Sequence, residues 1–395
     1  MADAYDFWAD RVTREEARAI DTFWDRFERA RRRIERSLAG AASHVDPDRE
    51  VETALGELAS RLFWDFELTE EGRRRLVVTA ELGHSNRTLA RAVVRRCPGI
   101  EGWAVADARE PIAKIPSAAR SILFRSRSEA FAVEEITPRR AAHRMVDLDA
   151  AGRGDPEFLA DQAGIVFSAL LGDRADQDWL GESRARTVRR GGLRARLFGS
   201  EVPRNDRWLT DFRAHCVEII SACEADRPEA PFAESRYAGA RHSDYRLKPA
   251  KIEAGRRRDA MIWQTRYPAL AAARIAGMRI GAPRFTRFGE SFCGVKLRRT
   301  QSAPFDRGEQ LGRLAVAVEA ALMEAKIGGL TGVGEGAHHV YLDVALMEIE
   351  TALPLVRDVL KREKVEVPAW MIFDEAGLED RYLPLTPGTP PTPLA

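Results

Sequence analysis

Apolar residues at helical spacing dominate the start of the chain. Phe23, Trp24, Phe27, Ile34 and Leu38 follow Thr13, which stands three residues before Glu16 as a capping box requires. Gly40 closes this predicted helix, and a second from about Arg49 carries Val51, Leu55, Leu58 and Leu62 on one stripe. The period then falls to two. In residues 63–68, Phe63, Asp65 and Glu67 alternate with Trp64, Phe66 and Leu68, which predicts a half-buried strand. A turn at Glu71 and Gly72 leads to a second strand over 76–82. Ser85 caps a helix through Leu89, Val93 and Cys97, closed by Pro98 and Gly99, and 103–106 is a third strand.

The middle is less regular. Residues 111–116 read as a linker. Strand-like runs at 130–136 and 145–148 flank a polar segment. Asp155 before Pro156 starts a helix with Leu159, Ala163, Val166 and Leu170 on its stripe and Gly172 at its end. Another helix is predicted over 210–225, and 226–260 reads as loop. Further on, 269–278 is helical, and 283–288 with 292–297 reads as a pair of strands around Gly289 and Glu290. Asp306 and Glu309 cap a long helix with Leu311, Leu314, Val318 and Leu322. A glycine-rich loop over 328–336 joins it to a strand at 340–344. A helix through Leu353, Val356 and Leu360 contains Pro354, which kinks it or marks its first turn. The last strand is 369–373, and the proline-rich tail reads as extended and mobile.

These elements predict an α+β protein of two α/β-layer domains, each a mainly antiparallel sheet covered by helices. The domains span 1–112 and 126–383, with a linker at 113–125, a poorly regular middle at 173–260, and a flexible tail at 384–395. Residues 74–106 and 340–373 share a strand–helix–strand rhythm ending on a tryptophan strand, Trp103 and Trp370, which raises an internal duplication.

Composition narrows the function. The 395 residues hold 62 Lys plus Arg against 61 Asp plus Glu, a formal net charge of +1, so no global field draws the chain to nucleic acid or membrane. No run approaches the roughly 20 apolar residues of a membrane helix, and the N-terminus lacks a signal-peptide pattern, so a cytoplasmic bacterial protein is expected. Cys97, Cys216, Cys223 and Cys293 form no C-x-x-C pair. His215 beside Cys216, with Cys223 further on, is the nearest approach to a metal cluster; buried thiols on a helix explain it better, and no metal or cofactor is expected.

The blocks at 63–81, 98–110, 285–297 and 340–370 resemble those of uncharacterised bacterial cytosolic proteins with no assigned activity, over about half the chain. That resemblance implies an α+β fold and a soluble bacterial protein, and it transfers no catalytic residue.

Four features carry candidate chemistry. Gly332, Gly334 and Gly336 in the glycine run, with His338 and His339 after it, form a candidate ligand-binding loop. A helix precedes these glycines and a strand follows, the reverse of a dinucleotide or P-loop motif. The two histidines, adjacent on a strand, point to opposite faces and cannot chelate one metal together. Gly289–Gly294 misses a nucleophile elbow by one residue, and Cys293 as nucleophile needs His338 or His339 as its base. Asp65, Glu67 and Glu81 form a candidate carboxylate group, read here as a solvated sheet face. The stretch 184–207 holds eight arginines; Arg186, Arg189, Arg190, Arg194 and Arg196 with Trp208 make a candidate patch for nucleic acid or an acidic partner, with Trp179 nearby and Arg256, Arg257 and Arg258 as an extension.

No catalytic constellation is complete. The expected role is a non-catalytic binding or regulatory protein, of accessory or immunity type, acting on another protein through a surface. The alternatives are an enzyme with an inter-domain pocket near residues 328–339, and nucleic-acid binding through the arginine-rich segment.

Overall fold

A computed structural model describes residues 12–40, 46–69, 71–80, 86–112, 132–188, 207–237, 240–246, 260–278, 280–299, 308–375, 378 and 381–391. The protein is α+β, with its sheets covered by helices. It divides into two compact units, 1–109 with 376–380, and 110–375 with 381–395.

Among the described residues the first unit begins with α1 (Arg14–Leu38), α2 (Pro47–Leu55) and one 3-10 turn (Gly56–Ser60). The predicted capping box is present: the Glu16 backbone N–H donates to Thr13 Oγ1 at 3.1 Å, and the Thr13 N–H donates to Glu16 Oε2 at 2.8 Å. These bonds satisfy donors that a helix start otherwise leaves open. β1 (Phe63–Leu68) pairs antiparallel with β2 (Arg74–Thr79), and Gly72 supplies the positive φ of their turn. α3 (Arg87–Arg95) then crosses to β3 (Trp103–Ala106), which lies parallel to β2.

One face of this sheet meets α1. Phe27 contacts Trp103 edge-on at 5.4 Å between ring centroids, and Trp103 also meets Phe66 at 6.0 Å. Both indole N–H groups are satisfied, Trp24 Nε1 by the Val93 carbonyl at 2.9 Å and Trp103 Nε1 by Glu35 at 2.9 Å. Each such buried aromatic contributes about 2–3 kcal/mol.

The second unit contains two sheets where one was expected. The smaller has the order β4-β5-β6. β4 (Ala132–Arg140) and β5 (Val146–Arg153) form an antiparallel hairpin. α4 (Pro156–Leu171) and α5 (Asp173–Trp179) then lead to β6 (Leu180–Thr187), parallel to β5. α6 (Arg207–Ala225) completes the layer, and its Phe212, Cys216 and Cys223 join the core beneath the sheet. β6 escapes a hydrophobicity-based reading because Glu182, Arg184 and Arg186 occupy its outward positions at the sheet edge.

The larger sheet is antiparallel throughout, in the order β13-β12-β9-β11-β10-β8-β7. Its strands are β7 (Ser243–Arg246), β8 (Ala260–Thr265), β9 (Ser291–Arg298), β10 (Gly328–Gly336), β11 (His339–Leu346), β12 (Ala369–Phe373) and β13 (Tyr382–Pro384). Its helices are α7 (Pro268–Ile275), α8 (Ala282–Phe285), α9 (Gly308–Glu324) and α10 (Ile349–Arg362), the last with Pro354 inside it.

Four expectations change. The glycine run is strand β10, paired on both sides, rather than a loop. Residues 282–285 form a helical turn instead of a strand, because Pro283 presets helical φ at the start of the turn and lacks an N–H to donate. Residues 385–390 of the tail are docked. Leu385 N–H donates to Ala369 O at 2.8 Å, Thr386 Oγ1 to Val367 O at 2.8 Å, and Trp370 Nε1 to Pro390 O at 2.8 Å. The segment 226–260 contributes buried Phe232 and Tyr237 and strand β7. The capping residues Ser85 and Asp306 lie outside the described residues.

The same β-β-α-β path occurs three times. β1-β2-α3-β3 and β4-β5-α4-α5-β6 share one strand order, an antiparallel pair followed by a parallel crossover. β10-β11-α10-β12 repeats it with β9 inserted between β11 and β12. The match to residues 74–106 is therefore closer in the small sheet than in 340–373.

Burial pushes the Glu16 carboxyl up, but the Thr13 N–H and Arg61 together outweigh it and hold the group below its ordinary value. Glu16 thus stabilises the fold above its unfolded pKa of about 4.3, and the contribution fades as pH falls through its lower folded value. Glu16→Gln is expected to lower stability at pH 7 and to converge on wild type as the pH falls from about 4.3 through the lower folded value, in urea titrations at each pH. Thr13→Ala is expected to cost about 1 kcal/mol at every pH.

Candidate functional site

The two faces of the seven-stranded sheet differ in chemistry. Cys293, Val295 and Leu297 of β9 share one face with Val344, Leu342 and Val340 of β11. The other face carries Phe292, Gly294 and Lys296 opposite Ala345, Asp343 and Tyr341, with His339 at its end. Trp370 and Ile372 of β12 extend this second face, as does Trp263 of β8. It is apolar at one end, where α7 packs Leu270 and Ala273 against Phe292, and charged at the other.

At the centre, Asp343 is fully buried. Its Oδ2 accepts from Trp263 Nε1 at 2.6 Å and from Arg274 Nη1 at 2.8 Å. The same guanidinium reaches Asp374 through Nη2 and lies 5.3 Å from the Trp263 ring centroid. Arg274 therefore ties α7 to β11 and to the end of β12, two elements distant in sequence.

Gly332 makes this arrangement fit. A Cβ there would stand 2.8 Å from Gln264 O, 3.2 Å from Asp343 Oδ2 and 3.3 Å from Trp263 Nε1. The glycine lets the carboxylate of β11 and the indole of β8 meet across β10. Gly329 serves a second close approach, since a Cβ there would fall 2.2 Å from Phe232 O.

Two further buried carboxylates hold backbone. Glu290 accepts from the Phe232 N–H at 2.7 Å and from the Thr286 hydroxyl, and Glu319 of α9 accepts from the Tyr237 N–H. Burial pushes the phenols of Tyr237 and Tyr267 above the ordinary range. Lys296 is also buried, its Nζ 5.9 Å from the Tyr341 ring centroid, with His339 6.3 Å from that ring and 6.2 Å from Trp370.

Of the residues chosen from sequence, Gly332, Gly334 and His339 share this face, inside the sheet instead of on a loop. Gly336 ends β10, its carbonyl accepting from Arg299 Nη1 at 2.8 Å, and His338 is exposed. Cys293 and His339 lie on opposite faces and about 16 Å apart along the strands, so they cannot form a nucleophile–base pair. Cys216 is buried with its thiol pushed up to about 12 by desolvation, while His215 is exposed. Among the described residues no group of three His, Cys, Asp or Glu could hold a metal ion.

The arginine patch divides. Arg189, Arg190, Arg194, Arg196, Arg256, Arg257 and Arg258 lie outside the described residues, as does Glu81. Arg186 is exposed on β6, where its neighbour Arg184 is paired with Glu182. Trp208 is half-buried against the core of the small layer and Trp179 is buried in it. Asp65 is paired with Arg109 at 3.6 Å and Glu67 with Arg75 at 3.7 Å.

Sequence reasoning passed over Asp343, Lys296, Arg274 and Trp263. A usable signal existed: VYLDVAL and FCGVKL each set one charge in an apolar strand, and such a charge must find a buried partner. Compared with protein-family models, curated proteins and solved structures, the chain matches none. Among the described residues no helix is long and apolar enough to cross a membrane.

Arg274→Met, which strands buried carboxylates, is expected to cost about 3–5 kcal/mol in urea unfolding. Gly332→Ala is expected to cost about 1–3 kcal/mol by the same measurement, because the new methyl group meets backbone.

Proposed function

We propose that this is a non-catalytic binding protein that takes an extended segment of another polypeptide along β1. The observation that carries the reading is the character of that edge. Among the described residues β1 pairs on one side alone, with β2, in unbroken register over all six residues, and it contains no proline, lysine or bulge. Those are among the devices that blunt a free sheet edge against association, of which β1 has the charges of Asp65 and Glu67. Phe63 is 51% and Leu68 72% exposed, so apolar area sits at both ends of the open ladder. An extended peptide gains main-chain hydrogen bonds from such an edge and selectivity from its alternate side chains.

The edge carries one guard. The Phe66 N–H donates to Asp65 Oδ1 at 2.8 Å instead of to β2. Alternation along the strand puts the Leu68 N–H on the same open side. An incoming strand would compete with the Asp65 carboxylate for the Phe66 donor. The buried carboxylates of the larger unit support a binding role over a catalytic one, since Asp343, Glu290 and Glu319 all accept hydrogen bonds within the fold. The four free thiols suit a reducing compartment such as a bacterial cytosol.

A photo-crosslinking residue in place of Phe63, in the native host, is expected to capture one polypeptide. Leu68→Pro removes a donor from the open side without touching the ladder to β2, and should weaken capture roughly five- to tenfold, about 1 kcal/mol. Asp65→Ala should strengthen it. Capture indifferent to both substitutions would sink the reading.

A further inference from the structure

The second half of α1 presents a row of cations that the fold does not use. Between positions 26 and 36 it holds six arginines against two glutamates, in a chain whose overall charge is +1. The glutamates are occupied: Arg31 pairs with Glu28 at 3.1 Å and with Glu35 at 3.3 Å. Arg33 pairs with Glu50 of α2 at 2.7 Å. Asp21, one turn further back, is held by Arg96 at 2.7 Å, which leaves Asp25 as the nearest opposing charge on the outward face.

Arg29, Arg32 and Arg36 are all exposed, and among the described residues none lies within ion-pair distance of a carboxylate. Their i, i+3, i+7 spacing places them in one line of about 10 Å along the helix axis. Two are pre-oriented, because Arg29 Nε donates to Asp25 O at 3.1 Å and Arg36 Nε to Arg32 O at 3.3 Å. Those bonds use Nε and leave the outer guanidinium nitrogens for a ligand. The helix macrodipole explains a cation in the last turn, Arg36, but its effect fades within that turn and does not account for Arg29 or Arg32.

We propose that this arginine row binds the phosphate backbone of nucleic acid without reading its sequence. The guanidinium fork matches phosphate oxygens. The surroundings favour nucleic acid over an acidic protein. Apart from Leu38 at the helix end, the exposed large apolar residues lie on other elements. Protein interfaces centre on an apolar core, whereas nucleic-acid interfaces are polar and positively charged. This surface is separate from β1 and does not depend on the polypeptide reading.

The test uses the full chain and fluorescence anisotropy with a labelled single-stranded RNA and a DNA duplex of mixed sequence, each about 20 nucleotides long, from about 50 to about 200 mM salt. Wild type is expected to bind with little sequence preference and to weaken steeply with salt. Reversing Arg29, Arg32 and Arg36 to Glu should cost about tenfold or more and flatten the salt slope by roughly 2, three contacts at about 0.7–0.9 each. The triple Gln variant should show a smaller loss in the same direction, with its thermal melt checked against wild type. Arg184→Glu with Arg186→Glu on β6, and Leu68→Pro on β1, should leave affinity unchanged. The proposal is overturned by absence of binding in wild type, by equal affinity in the α1 variants, or by retention on poly-glutamate or anionic vesicles alone.

Discussion

The larger unit depends on a single buried guanidinium. Arg274 donates to Asp343 and Asp374 at once and stacks over Trp263, so one side chain fixes α7, β8, β11 and the exit of β12 in register. An ion pair this deep gives little net stability compared with apolar residues of the same shape, because both partners lose their water. What it does give is discrimination. A sheet of seven antiparallel strands with many apolar side chains could slip by two residues and keep its faces. A slip here would leave Asp343 buried without its donors, which costs several kcal/mol. The glycines of β10 belong to the same constraint, since the meeting of indole and carboxylate across that strand requires a position without a side chain.

A second theme is repetition. Three times the chain forms a hairpin, lays a helix across it and returns to the sheet, with a strand paired parallel in both small sheets and with β12 paired antiparallel to the inserted β9 in the large one. A three-stranded sheet has too little area to stand alone and needs helices on its apolar face. Both small sheets meet this need with an amphipathic helix in the crossover and further helices over the same core, supplied in the first unit by α1 with Phe23, Trp24 and Phe27 and in the second by α6 with Phe212 and Cys216. The largest sheet inserts β9 into the same path, and β9 brings the lysine at the charged end of the face that carries Asp343.

Charge in this protein is divided by depth. Inside, carboxylates are consumed by arginine, indole and backbone donors. Outside, the first unit offers two surfaces of different character, an apolar-ended open strand at β1 and a cationic line on α1. A near-neutral total conceals both, because surface recognition follows local arrangement and not the sum.

Helices and hairpins governed by local rules were legible without coordinates. Thr13 and Glu16, Asp155 and Pro156, and the Phe63–Leu68 alternation fix their own elements through capping bonds, preset φ and a period of two. Glycines carry no such instruction. In residues 328–336 they read as a loop, and the decision for a strand came from β8 and β11 pairing on both sides and from the indole and carboxylate that occupy the space above Gly332. β6 and β13 are likewise tertiary decisions, the first a charged edge and the second a proline-containing tail recruited by β12. Local sequence sets backbone preference over a few residues; which face is buried, and which lone charge meets which partner, depends on contacts between segments far apart in the chain, and those exist once the sheet is assembled.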